Sequence, residues 1–298
     1  MNKDIVIIGA GPAGLAAGIY ASRNGLDVAL LDPMGAGGQL MYIYELENYP
    51  GFDSISGFEL STKLENQCAK YGLEVEFSEV TDIKKENGLF KVTTDSTVFE
   101  AKAVIAATGA KHRNLGVPGE EEYTGHGVSY CATCDGPFFK GKKAVVVGGG
   151  DTALTDALYL SRICSEVTVV HRRNEFRAQK VLQDRVRAKE NIKLELSDNV
   201  IEIVGDGNKV TSVKLRSGKE IETDSVFIFV GTLANSSLFE AICSLENGYI
   251  ATDEKLETKC KGLFAAGDVR TTELRQVVTA AADGALAAES AAEYISSL

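Results

Sequence analysis

Short, wholly apolar runs alternate with helix-periodic runs along the first part of the chain. Residues 4–8 and 27–31 are almost entirely apolar, and residues 15–23 between them repeat apolar positions with a helical period. Parallel strands that are covered by helices on both faces have such continuous apolar sequences. The pattern predicts a doubly wound α/β domain at the N-terminus.

The same succession of strand, helix and strand recurs in the middle of the chain. Residues 143–147 and 167–170 are apolar, and a helix is predicted between them, ending near Arg162. The spacing from Gly9 to Asp32 equals that from Gly148 to His171. The chain is therefore predicted to contain two similar units.

Further elements are predicted on either side of the second unit. A helix is expected near residues 57–71, strands near 89–94 and 103–107, an alternating meander over 190–230, a strand over 262–269 and a long Ala-rich helix from about 276 to 295. Charged and turn residues become frequent near 111–123 and again near 246–250. We therefore expect a split domain, 1–115 with 247–298, around an inserted domain, 116–246.

Composition limits the classes of function. The formal net charge is -11 and 44% of the residues are hydrophobic. No basic stripe suits a nucleic-acid backbone beyond the short cluster at Arg172. No apolar run is long enough to cross a bilayer, and no signal segment precedes the first strand. A cytoplasmic protein is expected, without membrane or nucleic-acid partners.

A glycine motif links the first strand to the first helix. Gly9, Gly11 and Gly14 form GxGxxG, in which glycines permit a tight turn, close approach of a pyrophosphate and close helix packing. Asp32 ends the second strand, where a carboxylate can accept a hydrogen bond from a ribose hydroxyl. A Gly-rich loop follows at residues 35–39, and Thr108-Gly109 end a later strand near the expected ligand. This unit is predicted to bind a dinucleotide.

The second unit carries a related motif with a different ending. Gly148, Gly150 and Ala153 form GxGxxA, but His171-Arg172-Arg173 and Arg177 occupy the place of the acid. Guanidinium groups pair with a 2′-phosphate, whereas a free ribose hydroxyl favours a carboxylate. The sequence therefore predicts NADP(H) over NAD(H); a solvated basic surface patch is the alternative.

Two cysteines stand directly before the second unit, in Cys131-Ala132-Thr133-Cys134-Asp135-Gly136. A CxxC pair can exchange two electrons as disulfide and dithiol. It could instead be half of a zinc site, but the other four cysteines are isolated and no second CxxC or His pair supplies ligands. No metal site is predicted.

The C-terminal part contributes another carboxylate. Asp268 follows the apolar run 262–267 and could hold a polyol hydroxyl. The N-terminus of the long helix that follows offers unpaired N–H groups to a ring that becomes anionic on reduction. An Ala-rich helix can also simply pack in a core or a dimer interface.

Taken in order, the motifs resemble those of low-molecular-weight thioredoxin reductases. The motifs are GAGPAG, GGQL, ENYPG, CATCDG, GGGDTA with HRRNEFRA, and GLFAAGDV with a downstream Arg-Gln pair. The resemblance covers essentially the whole chain. It implies two doubly wound Rossmann-like domains, an NADPH domain inserted into a split FAD domain, and a homodimer.

The resemblance also implies roles for particular residues. FAD would be held by Gly9, Gly11, Gly14, Asp32, Gly38, Gln39, Asn48, Asp268, Arg275 and Gln276, and NADPH by Gly148, Gly150, Ala153, His171, Arg172, Arg173 and Arg177. Thr108 and Gly109, at the end of their strand, are expected at the FAD site as well. Cys134 would face the flavin, Cys131 would attack the partner disulfide, and Asp135 would exchange the proton. Asp135 could instead cap the helix that follows it.

The expected activity is NADPH-dependent reduction of the disulfide of a small redox protein, above all thioredoxin, through FAD and the Cys131–Cys134 pair. A flavin-dependent dithiol oxidase, a ferredoxin-linked relative and a non-catalytic redox sensor are alternatives. The retained HRR segment argues against a ferredoxin-linked enzyme. One departure from the family is that Gly231-Thr232-Leu233-Ala234-Asn235 stands where a Pro-Asn pair is usual after the Gly.

Chain order predicts a conformational change. The CxxC motif lies in the inserted domain with the predicted NADPH residues, whereas the flavin belongs to the other domain. Both nicotinamide and sulfur must come close to the flavin ring. The inserted domain is therefore expected to rotate about its two connections.

Overall fold

The computed structural model describes residues 1–43 and 46–298 and divides the chain into two compact units. Unit 1 comprises Met1–Lys111 and Leu233–Leu298, and unit 2 comprises His112–Thr232. The first segment of unit 1 contains β1 (Asn2–Ile8), α1 (Pro12–Arg23), β2 (Val28–Leu31), α2 (Gly57–Ala69), β3 (Val75–Glu76), β4 (Val80–Glu86), β5 (Leu89–Thr94), β6 (Val98–Ala106) and, ending at the border, β7 (Ala110–His112).

Unit 2 and the second segment of unit 1 complete the element order. Unit 2 contains β8 (Val128–Ser129), α3 (Ala132–Asp135), β9 (Lys143–Gly148), α4 (Asp151–Leu160), β10 (Glu166–His171), α5 (Lys180–Arg187), β11 (Ile192–Leu196), β12 (Val200–Gly205), β13 (Val210–Leu215), β14 (Glu220–Glu222) and β15 (Ser225–Phe229). After it come β16 (Thr232–Ala234), β17 (Leu245–Glu246), β18 (Tyr249–Ile250), β19 (Leu263–Ala265) and α6 (Val277–Ser296). Short 3-10 helices occupy Gly38–Tyr42, Gly136–Phe139, Ser237–Phe239 and Gly267–Val269.

Unit 1 is built on a sheet with strand order β3-β2-β1-β6-β5-β4, and β19 also pairs with β6. The strands β1, β2, β3, β6 and β19 run parallel, whereas β4 and β5 form antiparallel pairs. Ile5 and Ile7 of β1 pack into one buried cluster, and Val6 and Ile8 pack into another. Both faces of the strand are thus buried, which explains its continuous apolar sequence.

The long C-terminal helix α6 packs tightly against α1. A Cβ atom at Gly284 would lie 2.0 Å from the carbonyl oxygen of Ala13, so only glycine permits this approach. Ala287, Ala288 and Ala291 of α6 belong to the buried cluster that contains Ile5. The Ala-rich composition of this helix therefore reflects close helix packing.

Unit 2 repeats the parallel arrangement on a smaller scale. Its central sheet has the order β11-β10-β9-β15-β8, and all its pairs are parallel. The meander predicted over residues 190–230 is smaller than expected, because only β12, β13 and β14 form an antiparallel sheet. The strands β11 and β15 instead extend the parallel sheet. The parallel-sheet α/β architecture of two Rossmann-like domains that the sequence predicted is confirmed.

The second border between the units lies at Thr232/Leu233, whereas the sequence placed it at 246/247. The intervening segment packs into unit 1, because Phe239 is fully buried among the residues of that unit's core and Leu238 and Ile242 pack against the same cluster. The first border lies at Lys111/His112, close to the predicted 115/116. Among the described residues, no helix is both long and apolar enough to cross a membrane.

Candidate functional site

Cys131 and Cys134 form a disulfide at the start of α3 in unit 2, and their Cα atoms lie 5.3 Å apart. Cys131 is the N-cap residue of this single helical turn, and the Cys134 N–H donates to its Sγ at 3.2 Å. Both side chains are half-buried. A hydrogen-bond donor on sulfur favours its anionic form, so this amide would stabilise a Cys131 thiolate after the disulfide opens.

Asp135 follows the second cysteine and is held by one side chain. The hydroxyl of Ser129, at the end of β8, donates to its Oδ2 at 2.6 Å. Burial raises the pKa of Asp135, and the hydrogen bond from Ser129 lowers it in part. Asp135 makes no side-chain hydrogen bond to the 3-10 helix that begins after it. Its geometry thus gives no support to the alternative that it serves as a helix cap.

In unit 1, the three glycines of the first motif meet different surroundings. Gly9 has a φ of 104°, and a Cβ atom there would lie 2.4 Å from the Ala107 carbonyl oxygen. At Gly14 a Cβ atom would lie 1.7 Å from the carbonyl oxygen of Gly9. Beside Gly11 there is open space within 4 Å. The first and third glycines therefore permit the turn and the packing, and the second leaves room for a ligand.

The Gly-rich loop folds back over this turn. Gly38 approaches Gly11, since a Cβ atom on Gly38 would lie 3.2 Å from the Cα of Gly11. The side-chain amide of Gln39 donates to the carbonyl of Ala110. Asp32 accepts from the backbone N–H groups of Ala10 and Met34, both at 2.8 Å. Asp32 thus joins the glycine turn after β1 to the loop after β2.

Four further predicted residues make hydrogen bonds in unit 1. The Asn48 amide donates to the side-chain oxygen of Gln276 at 3.1 Å. Thr108 donates its hydroxyl to the carbonyl of Asn235 at 2.6 Å, and Asn235 in turn donates to the Thr108 carbonyl at 2.9 Å and to Gly109. Asn235, in the segment that departs from the family pattern, therefore fixes the end of β6.

Asp268 and Arg275 are charged groups held within the protein. Burial raises the pKa of Asp268, and Arg275 counteracts this rise. The Arg275 guanidinium lies over the ring of Tyr249, 4.4 Å from its centroid. Its Nε is buried and has no hydrogen-bond partner among the described residues. An unpartnered buried donor calls for an acceptor that the chain itself does not supply.

These features of unit 1 fit FAD. The N-terminus of α1 has no side-chain cap, so its N–H groups and the space beside Gly11 suit a pyrophosphate. Asp268 suits a polyol hydroxyl, and the Arg275 Nε suits a carbonyl or phosphate oxygen.

The second motif, in unit 2, has the same geometry. A Cβ atom at Gly148 would lie 2.5 Å from the Phe229 carbonyl oxygen and 2.8 Å from the Cβ of Ala153. Beside Gly150, the N-cap residue of α4, there is open space and no side-chain cap. Ala153 is fully buried against the turn. This turn too leaves the helix N-terminus open to an anion.

The basic cluster lies next to this turn. Arg172, Arg173 and Arg177 are exposed, and no carboxylate of the described residues lies within ion-pair distance of them. The Arg177 N–H donates to the carbonyl of Gly149 at 2.8 Å, which joins the cluster to the glycine turn. Unpaired guanidinium groups beside an open helix N-terminus suit NADPH, with its 2′-phosphate.

His171 differs from the three arginines in being buried. It is 7% exposed, and its ring stacks on Phe176 with centroids 5.5 Å apart. A Cβ atom at Gly149 would lie 2.3 Å from the imidazole. Burial lowers the pKa of His171, and the neighbouring guanidinium groups lower it further. The His171 ring is therefore neutral, and it packs against the glycine turn at Gly149. Its Nε2 has no hydrogen-bond partner among the described residues.

Sequence reasoning missed two side chains that shape these sites. Ser129 binds Asp135, and Asp151 accepts from the Gln179 backbone at 2.7 Å, which holds the segment after Arg177. The sequence positions of both residues could have indicated a role, because Ser129 lies two residues before the CxxC motif and Asp151 lies inside the GGGDTA motif. Their partners became visible only in the folded chain.

Comparison with known proteins agrees with this geometry. The pyridine nucleotide-disulphide oxidoreductase family model matches residues 3–284. A thioredoxin reductase of Listeria innocua is 47% identical over 99% of this chain and 94% of its own length, and one of Treponema pallidum is 45% identical over 100% and 98%. The crystal structure of a Streptococcus pyogenes thioredoxin reductase has a TM-score of 0.94 at 42% identity and covers 100% of this chain and 99% of that one. The chain belongs to the pyridine nucleotide-disulphide oxidoreductase family and, within it, to the thioredoxin reductases.

Proposed function

We propose that this chain is an NADPH-dependent thioredoxin reductase that holds FAD in unit 1 and NADPH in unit 2. The observation that carries the proposal is the position of the Cys131–Cys134 disulfide, in the same compact unit as the exposed arginine cluster. A redox disulfide and a site for a 2′-phosphorylated nucleotide together indicate transfer of electrons from NADPH to a disulfide. The relatives named above support thioredoxin as the substrate.

Bound FAD supplies the step between two-electron hydride chemistry and thiol chemistry. The residues of the chain do the rest. The arginine cluster and the Gly148–Ala153 turn bind and orient NADPH. Reduction of the disulfide takes up two electrons and two protons and leaves Cys131 and Cys134 as thiols. Asp135 exchanges a proton with this dithiol.

The reduced pair then reduces the partner by exchange. The Cys131 thiolate attacks the disulfide of thioredoxin, forming one mixed disulfide and releasing one thiolate of the partner. Cys134 attacks the mixed disulfide, which restores the Cys131–Cys134 bond and frees the second thiolate. We assign the attack to Cys131 because the Cys134 N–H lies against its sulfur.

The test is turnover of purified holoenzyme with thioredoxin disulfide and either NADPH or NADH. We expect rapid oxidation of NADPH that depends on thioredoxin, and little with NADH. The variant Cys131→Ser should lose turnover and show the long-wavelength absorption of a Cys134 thiolate beside oxidised flavin, and Cys134→Ser should lose turnover without that band. A band in Cys134→Ser alone would reverse the assignment of the two thiols.

The same assay separates the alternatives. A flavin-dependent dithiol oxidase would consume oxygen with small dithiols and need no NADPH. A ferredoxin-linked enzyme would accept electrons from reduced ferredoxin and ignore NADPH, and a redox sensor would show no turnover.

We further propose a cytoplasmic homodimer. Light scattering coupled to gel filtration should give about twice the 31.8 kDa of one chain. A mass of one chain at micromolar concentration would contradict the dimer.

A further inference from the structure

Ser129 lies between the backbone of the first redox cysteine and the carboxylate of Asp135. It is 4% exposed and ends β8. Its hydroxyl is 2.6 Å from Asp135 Oδ2 and 3.3 Å from the Cys131 carbonyl oxygen, and the Cys131 N–H donates to it at 3.1 Å. One buried hydroxyl thus touches both ends of the CxxC turn.

The number of protons limits what this hydroxyl can do at one time. A serine hydroxyl has one proton to donate and two lone pairs that accept. It therefore donates either to Asp135 or to the Cys131 carbonyl. With Asp135 ionised, the shorter contact to Oδ2 takes the proton, because a charged acceptor gives the stronger hydrogen bond.

When Asp135 is protonated, the hydrogen bonds among Asp135 Oδ2, Ser129 Oγ and the Cys131 carbonyl oxygen can be rearranged. The carboxylic O–H donates to Ser129 Oγ, and the Ser129 proton turns to the carbonyl oxygen of Cys131. The bond from the Cys131 N–H remains in both arrangements. The Cys131 carbonyl oxygen also accepts from the Asp135 N–H at 3.1 Å. Asp135 Oδ2, Ser129 Oγ and this carbonyl oxygen therefore each keep a partner in either protonation state, and Asp135 can gain or lose a proton without leaving any of the three unsatisfied.

Other charged groups near α3 do not replace this contact. Among the described residues, the elements that pack most closely against α3 are α4 and the 3-10 helix Gly136–Phe139, and this 3-10 helix has no ionisable side chain. On α4 the ionisable groups are Asp151, Asp156 and Tyr159. Burial raises the pKa of Asp135 and the hydrogen bond from Ser129 lowers it, and no charged group of the described chain adds to these two effects.

We propose that Ser129 is a positioning residue that holds the Asp135 carboxylate at the redox turn and serves both of its protonation states. This inference rests on the proposed function, in which Asp135 exchanges a proton with the dithiol. In that step a cysteine S–H bond breaks, its electron pair stays on sulfur as a thiolate, and the proton forms an O–H bond on Asp135. The reverse transfer restores the thiol.

The expected consequence is a change in pH dependence. Removing the hydroxyl removes a hydrogen bond that favours the ionised form, so the limb of the pH profile that belongs to Asp135 should move to higher pH. A shift of about one pH unit corresponds to about 1.4 kcal/mol, close to the lower end of the range for hydrogen bonds to charged groups. A purely structural role would instead lower the rate equally at every pH.

The experiment measures thioredoxin reduction by prereduced holoenzyme in stopped flow between acid and alkaline pH. The limb of the pH profile that disappears in Asp135→Asn is assigned to the titration of Asp135. We expect this limb to move to higher pH in Ser129→Ala, and to keep the wild-type position in Ser129→Thr, which retains a hydroxyl. Ser129→Gly provides a second variant without the hydroxyl if the alanine variant does not fold.

Two results would overturn the inference: a limb at the wild-type pH in Ser129→Ala or Ser129→Gly, or an Asp135→Asn variant that keeps the wild-type profile. Failure of the proposed function is distinguishable, because wild-type holoenzyme would then fail to reduce thioredoxin at any pH.

Discussion

At the scale of single residues, the arginine cluster carries positive charge that the described chain leaves unpaired. Three exposed guanidinium groups lie beside a helix N-terminus, and no carboxylate of the described chain neutralises them. Surface arginines often pair with nearby acids at little gain in stability. Here the positive charge stays available for an anionic ligand.

The double variant Arg172→Ala/Arg173→Ala is therefore expected to lose affinity for NADPH selectively. Each guanidinium–phosphate contact is worth about 1.5–3 kcal/mol, so the KM for NADPH should rise by roughly tenfold or more per lost contact. The KM for NADH should change by less than about twofold, since NADH has no 2′-phosphate to lose a contact. Steady-state kinetics with both nucleotides measures the difference.

The matched control is Arg185→Ala/Lys189→Ala, which removes the same charge from exposed positions in unit 2. It should leave both constants near their wild-type values. Equal losses with both nucleotides in the first variant would show that Arg172 and Arg173 do not recognise the phosphate.

Asp156 is a residue whose charge opposes folding. It lies on α4, and burial raises its pKa to about 6. The folded state binds this proton more tightly than the unfolded state does, so the carboxyl contributes its full stabilisation below its unfolded-state pKa. That contribution is lost as the pH rises through about 6, the folded-state pKa. At neutral pH the half-buried carboxylate therefore costs stability.

We expect Asp156→Asn to raise the free energy of unfolding relative to wild type by about 2 kcal/mol more at pH 7 than at pH 4. Urea unfolding at several pH values measures this. Asp53→Asn, at an exposed position, should change stability by less than about 0.5 kcal/mol at either pH. A pH-independent difference for Asp156→Asn would contradict the burial of its charge.

At the scale of elements, a buried carboxylate joins two segments of unit 2. Glu120 is 4% exposed and accepts from the backbone N–H groups of Leu115 and Gly116, at 2.8 and 2.6 Å. The Tyr130 hydroxyl also donates to it at 2.9 Å. Burial and the Glu120 carboxylate raise the pKa of Tyr130 to about 12, and His112 stacks on its ring. The loop after β7 is thus tied to the residue that precedes Cys131.

Replacing Glu120 by Ala should destabilise the protein, because two backbone N–H groups and one hydroxyl lose their acceptor. We expect a loss of about 3 kcal/mol in the free energy of unfolding, and about 1.5 kcal/mol for Tyr130→Phe, which removes a single hydrogen bond to a carboxylate. Denaturant unfolding measures both. The neighbouring Glu121 is exposed, so Glu121→Ala should cost less than about 0.5 kcal/mol. Similar losses at both glutamates would show that Glu120 does not tie the segments.

At the scale of the whole molecule, the chemistry is divided between two compact units. Unit 2 contains both the disulfide and the residues proposed for NADPH, whereas unit 1 contains those proposed for FAD. The nicotinamide and the disulfide both have to exchange electrons with FAD. We expect unit 2 to turn about its connections at 111/112 and 232/233 in each cycle.

A cross-link that holds Cys134 next to FAD should then block the reaction with NADPH. In stopped flow, flavin reduction by NADPH should slow at least tenfold in the cross-linked protein and recover when the link is cleaved. Reduction at the unmodified rate would favour a fixed arrangement with the two groups on opposite faces of the flavin.

The sequence alone determined the elements that depend on local pattern. Apolar runs such as residues 4–8 form buried strands because both faces are covered, and the two glycine motifs form turns because only glycine fits at Gly9 and Gly14. The CxxC pair and the arginine cluster were visible because their chemistry follows from residue type and spacing. Such features can be recognised from residue type and spacing alone, before their contacts are known.

Only the tertiary structure decided which distant residues meet. Residues 233–246 belong to unit 1 because Phe239 packs in its core, and β11 and β15 join the parallel sheet instead of a meander. His171 supports the glycine turn from a buried position, whereas its three basic neighbours are exposed. Ser129 reaches Asp135 because the chain turns sharply between β8 and α3. Side-chain burial and hydrogen-bond partners depend on how the chain packs, and a linear pattern records only which residues are able to make them.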